Sequence, residues 1–272
     1  TGPGNLLVDG ETRWVAVVGM ILSGTSIVVL WRLVVGRGRG LLRSRELRSY
    51  LAILAVATGL FLVWSGPMDG VDLREALFTV SSAITTTGFP SDPMGEWSVA
   101  LPVLLLLLVA IGPMTGSAGG GFQILRLRML LSVAIREMVR QLHPRVVARV
   151  RLGGRVAAEN TVRQATVAQF VFVAVLFVTA LVVATLGLDI VEALSASVHA
   201  VSTAGPVRAL DGSILDPSGW PRPSRMALLP AMVSGRLFLY PAAVAGGTLI
   251  IELGNQLRLT RRWRRWRASG TR

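Results

Sequence analysis

Long uncharged apolar runs constrain the fold of this chain more than any other feature. The segment 101–111 carries no charge, and the segment 170–188 is equally free of charge. Such runs approach the roughly 20 residues that an α-helix needs to cross the hydrocarbon core of a bilayer. The chain of 272 residues is 52% hydrophobic and contains no cysteine, which excludes disulfides and thiolate metal sites. We therefore predict an all-α polytopic membrane protein.

The basic residues lie between the apolar runs and predict the orientation in the membrane. All 28 are arginine, and 22 of them fall in the segments 32–48, 126–163 and 258–272. By the positive-inside rule these segments face the cytoplasm, so the C-terminus is predicted to be cytoplasmic. Most acidic residues fall on the other side, where they would form a rim that attracts cations. The arginines flank membrane segments, so membrane lipid is an expected partner and nucleic acid is not.

Two segments that are too short to span the membrane follow longer apolar ones. The pattern predicts membrane helices over 13–35, 47–64, from residue 99, over 167–188 and over 226–253, with short helical runs over 72–83 and 189–201. The first short run leads into Thr85, Thr86, Thr87, Gly88 and Phe89, and the second leads into Ser202, Thr203, Ala204 and Gly205. Thr1 and Gly2 would belong to the turn of a truncated earlier copy, and the absence of an initial Met indicates missing upstream residues. The chain therefore contains a repeated unit of helix, short half-helix, turn and helix around a central pore.

The turns of this repeat are suited to a cation filter. Glycine permits the dihedral angles that aim successive carbonyls at one axis, and threonine adds a hydroxyl without a charge. The partly negative C-terminal end of each half-helix also favours a cation. The carbonyls that would replace the hydration shell of the ion are those of Thr86, Thr87, Gly88, Thr203, Ala204 and Gly205. The alternative is an ordinary helix-to-loop turn at the membrane surface.

A glycine-rich stretch interrupts the third predicted membrane segment. Residues 112–121, which we call the glycine loop, include Gly112, Gly116, Ser117, Gly119, Gly120 and Gly121, and Gln123 follows. Non-helical backbone at membrane depth is tolerated where it is buried in protein or lines a water-filled cavity. We predict that this loop lies in the pore as a gate. Arg236 is expensive within a membrane helix, so we predict that it faces the cavity and pairs with carbonyls of the loop. The alternative for Arg236 is a side chain that extends to the membrane surface.

Other interpretations of the glycine loop remain open at this point. A phosphate-binding loop would need a Gly-Lys-Ser/Thr ending, which is missing here. Gly112 and Gly116 fit the small-xxx-small pattern of close helix packing. Ser117 with His199 could form the catalytic dyad of an intramembrane serine protease. A non-conducting membrane scaffold is a third class.

Taken together, the motifs resemble those of the TrkH/KtrB potassium transporters of the Trk/Ktr/HKT superfamily. Segment 84–89 resembles the filter of the third repeat, and segment 116–126 resembles the gating loop GSTAGGIKxxR. Segments 142–147 and 150–156 resemble the cytoplasmic connector, and segment 234–237 resembles the GRLE motif of the last helix. The resemblance implies the C-terminal half of the ion-conducting, non-enzymatic subunit of a bacterial potassium uptake system. It further implies K+ as the transported ion, no organic cofactor, a location in the bacterial cell membrane, a homodimer and a cytoplasmic nucleotide-binding regulatory ring similar to TrkA or KtrA.

The resemblance also divides the chain and shows where it departs from the family. Residues 1–46 would end the second pore repeat, residues 47–163 would form the third, and residues 164–272 would form the fourth with a basic tail. The Asn-x-Gly-Pro-Gly of the last filter is replaced by residues 203–207, with sequence TAGPV. Gln123 stands where the gating loop of the family has Lys, and Phe238 stands where it has Glu.

Overall fold

The architecture of the part of the chain that the structure describes is built from helices, with one short pair of strands. The computed structural model describes residues 10–35, 44–65, 71–89, 98, 100–143, 151–152, 155–156, 158–207, 209 and 213–236. The helices are α1 (Gly10–Ser23), α2 (Ile27–Val34), α3 (Arg45–Ser65), α4 (Leu73–Ile84), α5 (Ala100–Ile111), α6 (Ile124–Leu142), α7 (Glu159–Thr185), α8 (Ile190–Ser202) and α9 (Arg222–Arg236). A two-residue antiparallel pair, β1 (Arg151–Leu152) and β2 (Arg155–Val156), lies between α6 and α7. The all-α prediction is confirmed.

Two of the described helices, α3 and α7, are long and apolar enough to cross a membrane. The helix predicted over 47–64 is confirmed as α3. Helix α7 begins eight residues before the predicted start at 167, because the charged residues Glu159 and Arg163 belong to its first turns and not to the connector. Helix α9 begins at Arg222, four residues before the predicted start at 226, with Pro223 in the first turn, where its missing N–H costs no hydrogen bond. The predicted continuation of this helix to 253 lies outside the described residues.

The prediction of one continuous helix over 13–35 is wrong. Helices α1 and α2 meet at an angle of 110° across residues 24–26. The Thr25 hydroxyl donates a hydrogen bond to the Ile21 carbonyl at 2.9 Å, which is an alternative to regular helical pairing. The backbone groups freed by the break pair with the glycine loop, since the Met114 amide donates to the Gly24 carbonyl at 3.1 Å. If the bent pair counts as one span, the described residues contain up to three spans.

The two half-helices, α4 and α8, begin in the same way. Asp72 caps α4 by accepting a hydrogen bond from the Glu75 amide at 3.0 Å, and Asp189 caps α8 by accepting one from the Val191 amide at 3.2 Å. These carboxylates satisfy amides that have no partner inside the helix. Helix α4 packs against α1, α3 and α5, whereas α8 packs against α5, α7 and α9. Each half-helix is therefore enclosed by other helices of the bundle.

The buried side chains form two main clusters, one around each half-helix. The first contains Tyr50, Ile84, Leu101, Met114 and Ile124, from α3, α4, α5, the glycine loop and the start of α6. The second contains Phe172, Val183, Val201, Trp220 and Leu228, which surround α8. The buried residues of the first cluster lie within 47–124 and those of the second within 172–231, with Phe122 packed against the second. Each half-helix therefore has its own buried surroundings.

Candidate functional site

The turns that follow α4 and α8 share one backbone geometry. Thr86 and Thr203 occupy the left-handed region, with φ of 55° and 49°. The amide of each donates to the carbonyl three residues earlier, at 3.1 Å in both turns. The next amide donates to the carbonyl five residues earlier, at 3.1 Å after Thr86 and 2.9 Å after Thr203. A non-glycine residue at positive φ is uncommon, so its occurrence at both positions identifies the turns as copies of one motif.

The two turns contain backbone carbonyl groups that accept no hydrogen bond from the rest of the described chain. The predicted filter carbonyls accept no hydrogen bond from the described residues; they belong to Thr86, Thr87, Gly88, Thr203, Ala204 and Gly205. The amides of Thr86 and Thr87 and the hydroxyls around the first turn are, in contrast, paired. The Thr85 and Thr87 hydroxyls lie 2.7 Å apart, and the Ser82 hydroxyl donates to the Phe89 carbonyl at 2.9 Å. The paired groups stabilise the turn, while its carbonyls are available to coordinate a cation.

The two turns touch at Gly88 and Gly205. A Cβ added to Gly88, which has a φ of 76°, would lie 2.3 Å from the Gly205 Cα. A Cβ added to Gly205 would lie 2.6 Å from the Gly88 Cα. Both distances are shorter than any real carbon–carbon contact, so only glycine allows this approach.

The glycine loop lies directly against both turns. The Gly120 amide donates to the Thr86 hydroxyl at 3.0 Å, and a Cβ on Gly120 would lie 2.1 Å from the Ser202 carbonyl oxygen. A Cβ on Gly119 would lie 2.8 Å from the Thr85 carbonyl oxygen. Three further glycines of the loop have positive φ, namely Gly112, Gly116 and Gly121. These glycines let the loop fill a space in which a side chain would not fit.

Arg236 reaches the same loop from α9. Its Nη1 donates to the Ala118 carbonyl at 3.1 Å, which matches the pairing predicted from the sequence. Together with Ser117, Gln123 and Arg126, Arg236 lines a cavity of about 190 Å³ that extends to Thr203. The Gln123 side chain is 3% exposed, and its Oε1 has no hydrogen-bond partner among the described residues. Two guanidinium groups therefore border a cavity next to the second turn.

Sequence reasoning missed three groups that hold the loop in place. The Glu46 carboxylate, in the first turn of α3, accepts a hydrogen bond from the Thr115 amide at 2.7 Å. The Gln169 amide donates to the Phe122 carbonyl at 3.4 Å, and residues 24–26 contact the loop as described above. A Gly-Thr-Ser sequence within an apolar segment was a signal for the break. Glu46 gave none, because acidic residues are common in the first turn of a helix.

The remaining predicted residues are placed as follows. Thr1 and Gly2 lie outside the described residues. The Ser117 hydroxyl donates to the Met114 carbonyl at 2.7 Å, whereas His199 Nδ1 contacts the Ser195 carbonyl oxygen at 2.8 Å. His199 lines a different cavity, of about 230 Å³, between α4, α5 and α8. The structure does not bring Ser117 and His199 together as a dyad.

Half-helices that end in carbonyl-bearing turns, within a bundle of apolar helices, define a multi-pass membrane protein with re-entrant segments. Residues 63–249 match the family model described as TrkH, cation transport protein. The chain belongs to this family. Because it is a family of transporters and not of enzymes, the protease alternative is not supported.

The curated relatives and a solved structure agree with this assignment. The chain is 30% identical to the Trk system potassium uptake protein TrkH of Salmonella typhimurium, over 82% of the chain and 45% of that protein. It is 32% identical to the protein of the same name from Halomonas elongata, over 74% of the chain and 42% of that protein. The crystal structure of the potassium transporter TrkH from Vibrio parahaemolyticus superimposes with a TM-score of 0.81 at 23% identity, covering 88% of this chain and 52% of that one. The chain thus spans about half the length of the relatives it matches.

Proposed function

We propose that this chain is the C-terminal half of the ion-conducting subunit of a bacterial potassium uptake system. One observation carries the proposal: two copies of the same left-handed turn meet at Gly88 and Gly205, with the glycine loop against both. The relatives are named Trk system potassium uptake proteins, and this is why we propose K+ as the transported ion. The two separate buried clusters support the assignment of residues 47–163 and 164–272 to two consecutive pore repeats.

In this proposal the filter acts through backbone carbonyls. The open carbonyls of the two turns replace part of the hydration shell of K+, and the other repeats of the family architecture supply the rest of the ring. The C-terminal ends of α4 and α8 add a partial negative charge at the same place. Because the turns carry hydroxyls and no carboxylates, the ion is held weakly enough to move on.

The glycine loop is the gate, and Arg236 holds it closed. The hydrogen bond from Arg236 to the Ala118 carbonyl stabilises the loop across the path of the ion. The guanidinium also repels a cation, at a cost on the order of a few kcal/mol for unit charges several Å apart near a protein surface. Since Gln123 replaces the Lys of the family motif, Arg236 supplies more of this barrier here.

We further propose the orientation, the location and the partners of the protein. The arginine-rich segments and the C-terminus face the cytoplasm, and the protein lies in the inner membrane. By its family it is a homodimer that binds a cytoplasmic nucleotide-binding ring. No organic cofactor takes part, and K+ is the cargo.

The test removes the guanidinium and measures flux. Arg236→Ala in the complete gene product, reconstituted in vesicles without a cytoplasmic partner, should pass K+ faster than the parent. Arg222→Ala, at the other end of the same helix, is the matched control and should conduct like the parent. A folded and inserted Arg236→Ala protein that conducts no faster than the parent would show that Arg236 is structural. Potassium-dependent growth of an uptake-deficient bacterium separates a conducting protein from a scaffold.

A further inference from the structure

We propose that Glu46 and the break between α1 and α2 latch the glycine loop through contacts separate from that of Arg236. Glu46 is then a positioning residue of the gate. The inference rests on the proposed gating function of the loop and assigns a second group of residues to it.

The Glu46 contact is a charge-assisted hydrogen bond to the loop backbone. Glu46 is half-buried at the start of α3, and its Oε1 lies 2.7 Å from the Thr115 amide nitrogen. Hydrogen bonds from an amide to a carboxylate are shorter and about twice as strong as those between neutral groups. The contact joins residues 69 positions apart, so it fixes the loop relative to a separate helix.

The break between α1 and α2 adds three backbone hydrogen bonds to the same part of the loop. The Met114 amide donates to the Gly24 carbonyl at 3.1 Å, and the Ala118 amide donates to the Ser23 carbonyl at 3.3 Å. In the opposite direction, the Ile27 amide donates to the Gly116 carbonyl at 3.0 Å. A continuous helix over 13–35 could not offer these groups, because its own ladder would use them. The bend is therefore what makes this side of the latch possible.

Ala118 joins the two sets of contacts. Its amide is held by Ser23 of the bent helix, and its carbonyl is held by Arg236. The segment from Thr115 to Ala118 is thus held both by contacts with α1–α3 and by a contact with α9. Opening the gate requires that both sets of contacts loosen, so the closed state is stabilised jointly.

The bent helix also sits close to the first turn of the filter. A Cβ on Gly24 would lie 2.8 Å from the Thr85 Cγ2 and 2.6 Å from the Tyr50 hydroxyl oxygen. Tyr50 is fully buried, and its hydroxyl donates to the Ile21 carbonyl at 3.3 Å. The break between α1 and α2 is consequently packed against buried side chains of α3 and of the first turn.

The test compares four variants of the complete gene product in vesicles without a cytoplasmic partner. Glu46→Ala should raise K+ flux by about tenfold, as expected when a hydrogen bond to a charged group that favours the closed state is lost. Glu46→Gln keeps an oxygen acceptor for the Thr115 amide and should stay within about threefold of the parent, as expected for the smaller loss from a charged to a neutral acceptor. Glu137→Ala removes an exposed carboxylate from α6 that does not contact the loop, and it should have no effect. Arg236→Ala tests the proposed gate itself and should raise K+ flux.

A second measurement introduces one cysteine into the loop, since these 272 residues contain none, in a gene product from which any cysteine elsewhere has been replaced. A single Ser117→Cys reports the accessibility of the loop to a membrane-impermeant thiol reagent applied from the cytoplasmic side. Labelling should be several-fold faster in the Glu46→Ala background than in the Glu137→Ala background. The rate of labelling can be measured even for a variant that conducts K+ poorly.

The outcomes separate the latch from the proposed gate. If Arg236→Ala raises flux but Glu46→Ala changes neither flux nor labelling, the latch is wrong and the gate stands. If neither variant raises flux, the gate itself is misassigned. If Glu46→Gln leaks as much as Glu46→Ala, the hydrogen bond is not what holds the loop, which overturns the latch.

Discussion

Replacing Gly88 by alanine should damage ion selectivity, because the two filter turns cannot stay in contact. The added Cβ would lie 2.3 Å from the Gly205 Cα and 2.5 Å from its amide nitrogen. Neither neighbour is a flexible side chain that could turn away. The alanine must also adopt a φ of 76°, which favours glycine.

The size of the effect follows from this geometry. An ordinary contact begins at 3.4 Å, so the turns must separate by about 1 Å from their present positions. The left-handed conformation costs roughly a further 1–2 kcal/mol for a residue with a Cβ. This strain is the same whichever ion is bound, so it lowers the stability of the turn, whereas selectivity is lost because the carbonyls move by about 1 Å. Each tenfold fall in the potassium-over-sodium ratio would correspond to about 1.4 kcal/mol of lost difference between the two ions.

The assay is the ratio of potassium to sodium flux in vesicles that contain the complete gene product. Gly59→Ala is the matched control, since a Cβ on Gly59 in α3 meets no atom within 4 Å and alanine favours the helix. A Gly88→Ala protein that is inserted, conducts and keeps the parental flux ratio would refute the filter assignment.

Three further changes probe the site and its support. Glu75→Gln removes the carboxylate from its largely buried ion pair with Arg13, and breaking such a pair should cost about 3–5 kcal/mol, measured as a lower thermal midpoint that a Gln at both positions partly restores. Gly120→Ala places a Cβ 2.1 Å from the Ser202 carbonyl oxygen, so the loop should move away from the filter and raise basal flux in vesicles; unchanged flux would contradict the contact. Gln123→Lys adds a cation to the cavity beside Arg236 and should lower K+ flux below that of the parent, whereas an increase would mean that the cavity is not on the ion path.

The sequence predicted the features that depend on local pattern. Asp72 and Asp189 marked the starts of the half-helices, and the threonine and glycine residues after them marked the turns. The interruption at the glycine loop was also visible, because Pro and Gly disfavour a helix. These elements are confirmed as α4, α8 and the non-helical segment between α5 and α6.

The features that sequence reasoning missed depend on contacts between distant segments. The break in the helix over 13–35 is stabilised by hydrogen bonds from Met114 and Ala118 to its carbonyls, and no periodicity within the segment can reveal these distant partners. Glu46 is an ordinary first-turn residue until the loop folds against it. The contact of Gly88 with Gly205 likewise appears only when the two units are placed side by side.

The division of the interior into two clusters has a consequence for how the chain is made. Met114, within the glycine loop, and Ile124, just after it, belong to the first cluster, whereas Phe122 packs edge-on against Phe172, with ring centres 5.7 Å apart. Because domains fold as units from the N-terminus during synthesis, the first cluster can form once Ile124 has been translated. The contacts of the loop with the first cluster can therefore form before α7 exists, whereas those of Phe122 with Gln169 and of Ala118 with Arg236 form only after α7 and α9 have been made. We therefore expect the loop to be completed in two stages, so that a defect in α7 leaves Phe122 uncovered.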